Sequence, residues 1–195
     1  MSCSGFTMNE ITDKVDRIVA ENKEIWKSKA MFFSFIKGLL RRGWMRHPVK
    51  IKLINKYRKQ IPNPKPKGRK MVWGAECSIC HETHVLSNIE IDHKLEESAI
   101  LTKLSDIQSC AEKLLVVVED DLRILCKPCH SIVSLAASHN LTFEEAVIEK
   151  KIIALMKDRK KCLVILEEHG YDTKTLKNEA KRREALRQIF KGEQV

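Results

Sequence analysis

Met8, Ile11, Val15, Ile18 and Val19 recur at steps of three and four, the spacing of one helix face, and predict an amphipathic helix from Met8 to about Trp26. A second helical stretch, Lys29 to Gly43, mixes Phe32, Phe33, Phe35, Ile36, Leu39 and Leu40 with Lys37, Arg41 and Arg42. Pro48 interrupts helix and opens a basic, apolar run from Val49 to Tyr57. In Ile61-Pro-Asn-Pro-Lys-Pro-Lys-Gly-Arg-Lys70 three prolines stand at alternate positions, which predicts an extended linker over 61–70. That linker divides a helical basic region, 1–60, from a central module, 71–140.

Within the module the pattern shortens to β-type runs at Val85 to Ile91 and Leu122 to Leu125, around a largely helical insertion from about Leu95 to Val118. The remainder, 141–195, is helical. Thr142 with Glu145 forms a capping box for a helix running to about Asp158, and Leu163 to Glu168 supplies another turn or more, stopped by Gly170. Asp172 or Thr173 is expected to cap a basic last helix.

Charge changes the picture, because it is one-sided. The chain has a formal net charge of +10, yet residues 1–70 carry 18 of the 36 Lys and Arg and only 5 of the 26 Asp and Glu. From Lys37 to Lys70 there are 13 basic and no acidic residues. Such a field suits a polyanion. Membrane insertion is not expected, because the apolar stretch Met31 to Leu40 is too short to span a bilayer and contains Lys37. Seven cysteines without an export signal predict a reducing compartment, the cytoplasm, with thiols that are free or metal-bound.

The cysteine spacing carries the most specific chemistry. Cys77-Ser-Ile-Cys80 and Cys126-Lys-Pro-Cys129 form two CxxC pairs, able to offer four thiolates to one tetrahedral Zn²⁺ in a closed structural site. Cys3, Cys110 and Cys162 have no such spacing and are expected to be free thiols. Ile89-Glu-Ile-Asp92-His93 is a strand ending in adjacent Asp and His, and Cys129 is followed at once by His130. Strand, return strand and a helix from His130 would form a ββα hairpin on the zinc staple. Asp92 and His130 could then meet as an O,N pair for a divalent cation. His81 and His84 could substitute as ligands but are expected on the surface, and His47 is expected to pack beside Trp44 and Pro48. Asn140-Leu-Thr142 fits a glycosylation sequon but is expected to serve in helix capping.

With these motifs, and with Gly43-Trp-Met-Arg-His-Pro48, Leu122-Arg-Ile-Leu-Cys-Lys-Pro-Cys-His130, Leu141-Thr-Phe-Glu-Glu-Ala146 and Lys181-Arg-Arg-Glu184, the sequence resembles the HNH (ββα-metal) endonucleases, specifically free-standing bacteriophage members. The resemblance spans roughly 41–187. It implies an α+β fold: a small ββα-metal module stapled by zinc, flanked by helical basic arms. It implies that His93 is the general base and that Asp92 and His130 hold a catalytic Mg²⁺ or Mn²⁺. Asp121 stands where the family has its central Asn, five residues before Cys126, and would orient the imidazole; Val133 replaces a Lys of many relatives. The partner implied is double-stranded DNA, nicked or cut by a phage homing or nicking enzyme in the host cytoplasm, expected to act as a monomer. Arg41, Arg42, Arg46, Lys50, Lys52, Lys65, Lys67, Arg69, Lys70, Arg182 and Arg183 are the expected DNA contacts. Phosphate contacts position a protein without specifying sequence. Asp121 also opens two other readings: a catalytically silent DNA-binding regulator, or a packaging accessory. An RNA- or ribosome-binding zinc protein would account for the charge and cysteines only.

Overall fold

The computed structural model describes residues 8–65, 67–94 and 101–192. Among them the fold is α+β, with small antiparallel sheets and a majority of helix. It divides into two compact units, Met1–Cys126 and Lys127–Val195. The division falls inside the second CxxC pair.

The first unit opens with α1 (Met8–Glu21), α2 (Lys29–Met45) and α3 (Pro48–Tyr57). Ser28 caps α2 by accepting the Met31 N–H, and Pro48 starts α3 at a position where its missing N–H costs nothing. Val15, Phe33, Leu101 and Cys110 form one buried cluster with Phe32, Ile36 and Leu40 against it. Cys3 and the side chains of Met8 and Ile11 lie outside the described residues, as do residues 95–100 of the insertion.

Where the prolines predict a linker, the chain forms a hairpin. Strand β1 (Lys59–Pro62) pairs antiparallel with β2 (Met71–Glu76), Lys59 opposite Gly74 and Pro62 opposite Met71, and β2 pairs with β3 (Thr83–Val85). Asn63 closes the loop: its N–H donates to the Lys70 carbonyl at 2.9 Å, its amide to the Arg69 carbonyl at 2.8 Å, and its side-chain oxygen accepts the Lys65 N–H. Ladder bonds from β2 overrule the local preference of the prolines for unpaired extended chain, and Pro62 sits at the strand end, where proline is tolerated. Gly74 is required at the middle of β2, since a Cβ there would lie 2.7 Å from the His84 carbonyl oxygen.

A second, two-stranded sheet pairs β4 (Ile89–His93) with β5 (Leu122–Cys126), setting Asp92 opposite Arg123 and His93 opposite Leu122. The segment between them carries α4 (Asp106–Leu115), as the helical insertion predicted. Leu53, Ala75, Ile91, Leu122 and Ile124 make the core under both sheets. Helix α5 (Lys127–His139) follows β5 directly.

The second unit consists of α5, α6 (Phe143–Met156), α7 (Arg159–Glu168) and α8 (Glu179–Gly192). Asn140 takes a left-handed φ of 53° and the Leu141 N–H returns to the Ala136 carbonyl, ending α5 as a helix C-cap does. Thr142 and Glu145 then form the predicted capping box of α6. Asn140 and Thr142 thus both act as caps. The last helix starts later than expected. Asp172 accepts the Lys174 N–H in a local turn, and it is Asn178 that accepts the Lys181 N–H at 2.8 Å to cap α8. Ile152, Leu166 and Leu186 are fully buried at the centre of this unit. Leu186→Ala is expected to lower its stability by about 2–5 kcal/mol, measured as a fall in the urea midpoint with the slope unchanged. Among the described residues no helix is long and apolar enough to cross a membrane.

Candidate metal centre and histidine site

Alternation along β2 buries Ala75 and Cys77 and leaves Glu76 exposed, so the strand delivers the first thiol to the interior. The chain then folds back on itself. The Cys77 N–H donates to the Glu82 carbonyl at 2.9 Å, the His81 N–H donates to the Cys77 carbonyl at 3.0 Å, and His81 adopts a left-handed φ of 59°. The Ser78 N–H donates to the Ile124 carbonyl at 2.8 Å, tying the turn to β5. Cys126 ends that strand, and Cys129 lies in the first turn of α5, where the helix N-terminus favours negative sulfur.

The four sulfurs of Cys77, Cys80, Cys126 and Cys129 all lie within 4.8 Å of one another. None of these cysteines forms a disulfide. Cys80 Sγ and Cys126 Sγ are 3.9 Å apart, against the roughly 3.8 Å edge of a sulfur tetrahedron built on Zn–S bonds of about 2.3 Å. Burial pushes the Cys77 thiol up, but donation from the Cys126, Cys80 and Ile79 backbone and the Cys80 thiol brings it down to about 6. Spacing, chemistry and thiolate character all fit one structural zinc ion. Cys110 and Cys162 are buried elsewhere, and burial raises the Cys162 thiol. A second donor group, Cys80, Glu82 and His84, shares one cysteine with the first.

His93, at the end of β4, is half-buried and held on two sides. Its Nε2 is 3.3 Å from the Leu114 carbonyl oxygen, and its ring stacks on Trp44 with centroids 4.3 Å apart. A carbonyl can only accept, so Nε2 carries the hydrogen and the neutral ring has its lone pair on Nδ1. Burial lowers the pKa of His93; the Leu114 hydrogen bond and the charges of Asp92 and Asp121 oppose that shift without reversing it. The ring is therefore neutral at pH 7, as a proton acceptor must be.

His47 repeats the arrangement. Its Nε2 donates to the Leu115 carbonyl at 2.9 Å, and its ring lies 5.5 Å from that of Trp44, on the expected Trp44 side. Leu114 and Leu115 end α4, where carbonyls lack partners within the helix. The insertion thus supplies two main-chain acceptors to two imidazoles. Leu114 could not be found from sequence, because any residue type offers a carbonyl.

The two carboxylates each have partners within the first unit. Asp121 accepts the Val118 N–H at 2.8 Å, capping a short turn, while the hydrogen-bond partner of His93 is the Leu114 carbonyl. Asp92 Oδ2 takes both Nε and Nη2 of Arg123, at 3.0 and 2.9 Å, across the β4–β5 ladder. His130 lies in the first turn of α5. Among the described residues Asp92, His93 and His130 belong to neither donor group.

Arg41, Arg42, Arg46 and Lys52 are exposed on or beside α2 and α3, and Lys65, Lys67, Arg69 and Lys70 are exposed in the hairpin loop. Lys50 is partly buried, 5.3 Å from the Trp44 ring centroid, and desolvation lowers its pKa. Arg58 lies 4.5 Å over Trp73. On α8, Arg182 donates to the Leu176 and Lys177 carbonyls and Arg183 pairs with Glu179 at 3.0 Å, while the helix buries Ala185, Leu186 and Ile189. Both arginines have partners within the second unit. Comparison of the chain with protein families, with curated proteins and with solved structures gives no match.

Proposed function

We propose that this chain is a metal-dependent endonuclease of the HNH type that nicks or cuts double-stranded DNA. The observation that carries the reading is His93: a neutral, desolvated imidazole with Nε2–H fixed on a carbonyl and Nδ1 left as the base, next to a carboxylate at a strand end. Such a group can take a proton from water attacking phosphorus, leaving a 5′-phosphate and a 3′-hydroxyl. A divalent ion, held by Asp92 and His130 as the sequence resemblance implies, would stabilise charge on the phosphate and the leaving oxygen. The concentration of cations in the first 70 residues supports DNA as the polyanion, and a homing or nicking role in a phage follows from the resemblance alone.

The second reading, a DNA binder without catalysis, is favoured by the Asp92–Arg123 pair, which engages the carboxylate that the metal would need. Supercoiled plasmid separates the two. With Mg²⁺ or Mn²⁺ the endonuclease produces nicked circles, whereas the silent binder produces none under any metal yet still retards duplex. In either case affinity should fall by roughly 10³–10⁵ between 50 and 200 mM salt if six to ten phosphates are contacted. Binding that ignores salt removes DNA as the partner.

A further inference from the structure

The knuckle presents more ligands than one tetrahedral ion can use. Cys77, Cys126 and Cys129 are buried, with relative exposures of 0%, 2% and 7%, whereas Cys80 is exposed. His84 Nε2 lies 3.7 Å from Cys80 Sγ and 3.6 Å from a Glu82 carboxylate oxygen. The β2–β3 register explains the placement. His84 is opposite Ala75, two residues before Cys77, so it stands on the sheet face that also carries the first thiol. Glu82 shares that face by the same alternation.

In the four-sulfur state this geometry makes His84 Nε2–H a donor to the Cys80 thiolate. Zinc takes imidazole as well as thiolate ligands, and three-sulfur, one-nitrogen sites are stable structural sites. We propose that His84 is a reserve zinc ligand, which replaces Cys80 when that thiolate is lost and keeps the ion on Cys77, Cys126 and Cys129. Ligation through Nε2 requires the other tautomer. The hydrogen moves to Nδ1 through solvent, which reaches the side chain because it is 24% exposed. One negative charge leaves the site with the cysteine, and a neutral ring takes its place.

The proposal rests on the four-cysteine zinc site and is independent of the nuclease reading. Zinc content of the full unsubstituted chain tests the first part: no zinc removes the site itself, whatever His84 does. Given one zinc per chain, Cys80→Ala is expected to retain it, and Cys77→Ala and the double variant Cys80→Ala/His84→Ala to lose it. X-ray absorption on C80A should show three sulfurs at about 2.3 Å and one nitrogen at about 2.0–2.1 Å. His84→Ala alone removes only the N–H···S bond, and should weaken zinc about 10-fold, the lower end of the effect of an outer-shell partner.

A second measurement does not depend on the folding of C80A. Iodoacetamide forms a sulfur–carbon bond with the exposed Cys80 thiolate of the folded chain and releases iodide; the modified residue is identified by mass spectrometry. Zinc should stay bound after modification of the unsubstituted chain and leave the modified H84A chain. Equal zinc release from the two, or a C80A site whose fourth ligand survives removal of His84, overturns the proposal.

Discussion

Cys126→Ser is expected to abolish zinc binding and to unfold the sheet region of the first unit while the second unit keeps its helices. Cys126 is 2% exposed, ends β5 opposite Ile89, and lies beside the turn that Ser78 fastens to Ile124. Structural zinc contributes about 10–16 kcal/mol of apparent binding free energy at pH 7 in small domains, while whole domains have net stabilities of only about 5–15 kcal/mol. The sheets offer little to replace it. Each is short, and their shared core holds five buried residues, two of them on β5 itself. The helical unit is different, because the residues packed around Ile152, Leu166 and Leu186 include no zinc ligand. Calorimetry should therefore show two transitions in the unsubstituted chain, the zinc-linked one falling with excess chelator and missing in C126S. Hydrogen exchange should place the lost protection in β2–β5 and leave α6 to α8 unchanged. A single transition at the same temperature with and without chelator would refute this account.

The elements that the sequence reveals are those whose cause is local. Apolar residues at helical steps locate α1 and the apolar stretch from Lys29 locates α2, while the Thr142–Glu145 box marks the start of α6 to the residue. The two CxxC pairs identify the sulfur cluster because a knuckle needs that spacing whatever surrounds it. What escapes is settled by partners distant in the chain. Prolines 62, 64 and 66 argue for open chain, and only the presence of β2 turns Lys59–Pro62 into a strand. Asp92 looks available until the register sets Arg123 opposite it. Nor does the sequence show that the Arg182 guanidinium rests on the carbonyls of Leu176 and Lys177. His93 stands out in the sequence, but its anchor does not, since that anchor is the main chain at the end of α4, 21 residues away.

That anchor leads to the other large effect, on catalysis. His93→Ala should reduce plasmid nicking by about 10²–10⁴-fold, the usual contribution of a positioned general base, while leaving DNA affinity unchanged because the imidazole is neutral and contributes no cation. Asp121→Asn discriminates between the two possible orienting groups. If Asp121 held the ring, the variant would weaken the bond that orients it and lower the plateau rate of nicking. In the observed geometry Asp121 accepts the Val118 N–H, which an asparagine oxygen also can do, so D121N should keep the plateau rate close to that of the unsubstituted chain and, by removing a charge that raises the His93 pKa, move the acidic limb of the profile to lower pH. Trp44→Ala should fall between H93A and D121N, since it removes the stacked face but not the Leu114 hydrogen bond. Nicking by H93A at the unsubstituted rate would leave the reaction without its base, and a nuclease reading built on this imidazole could not stand.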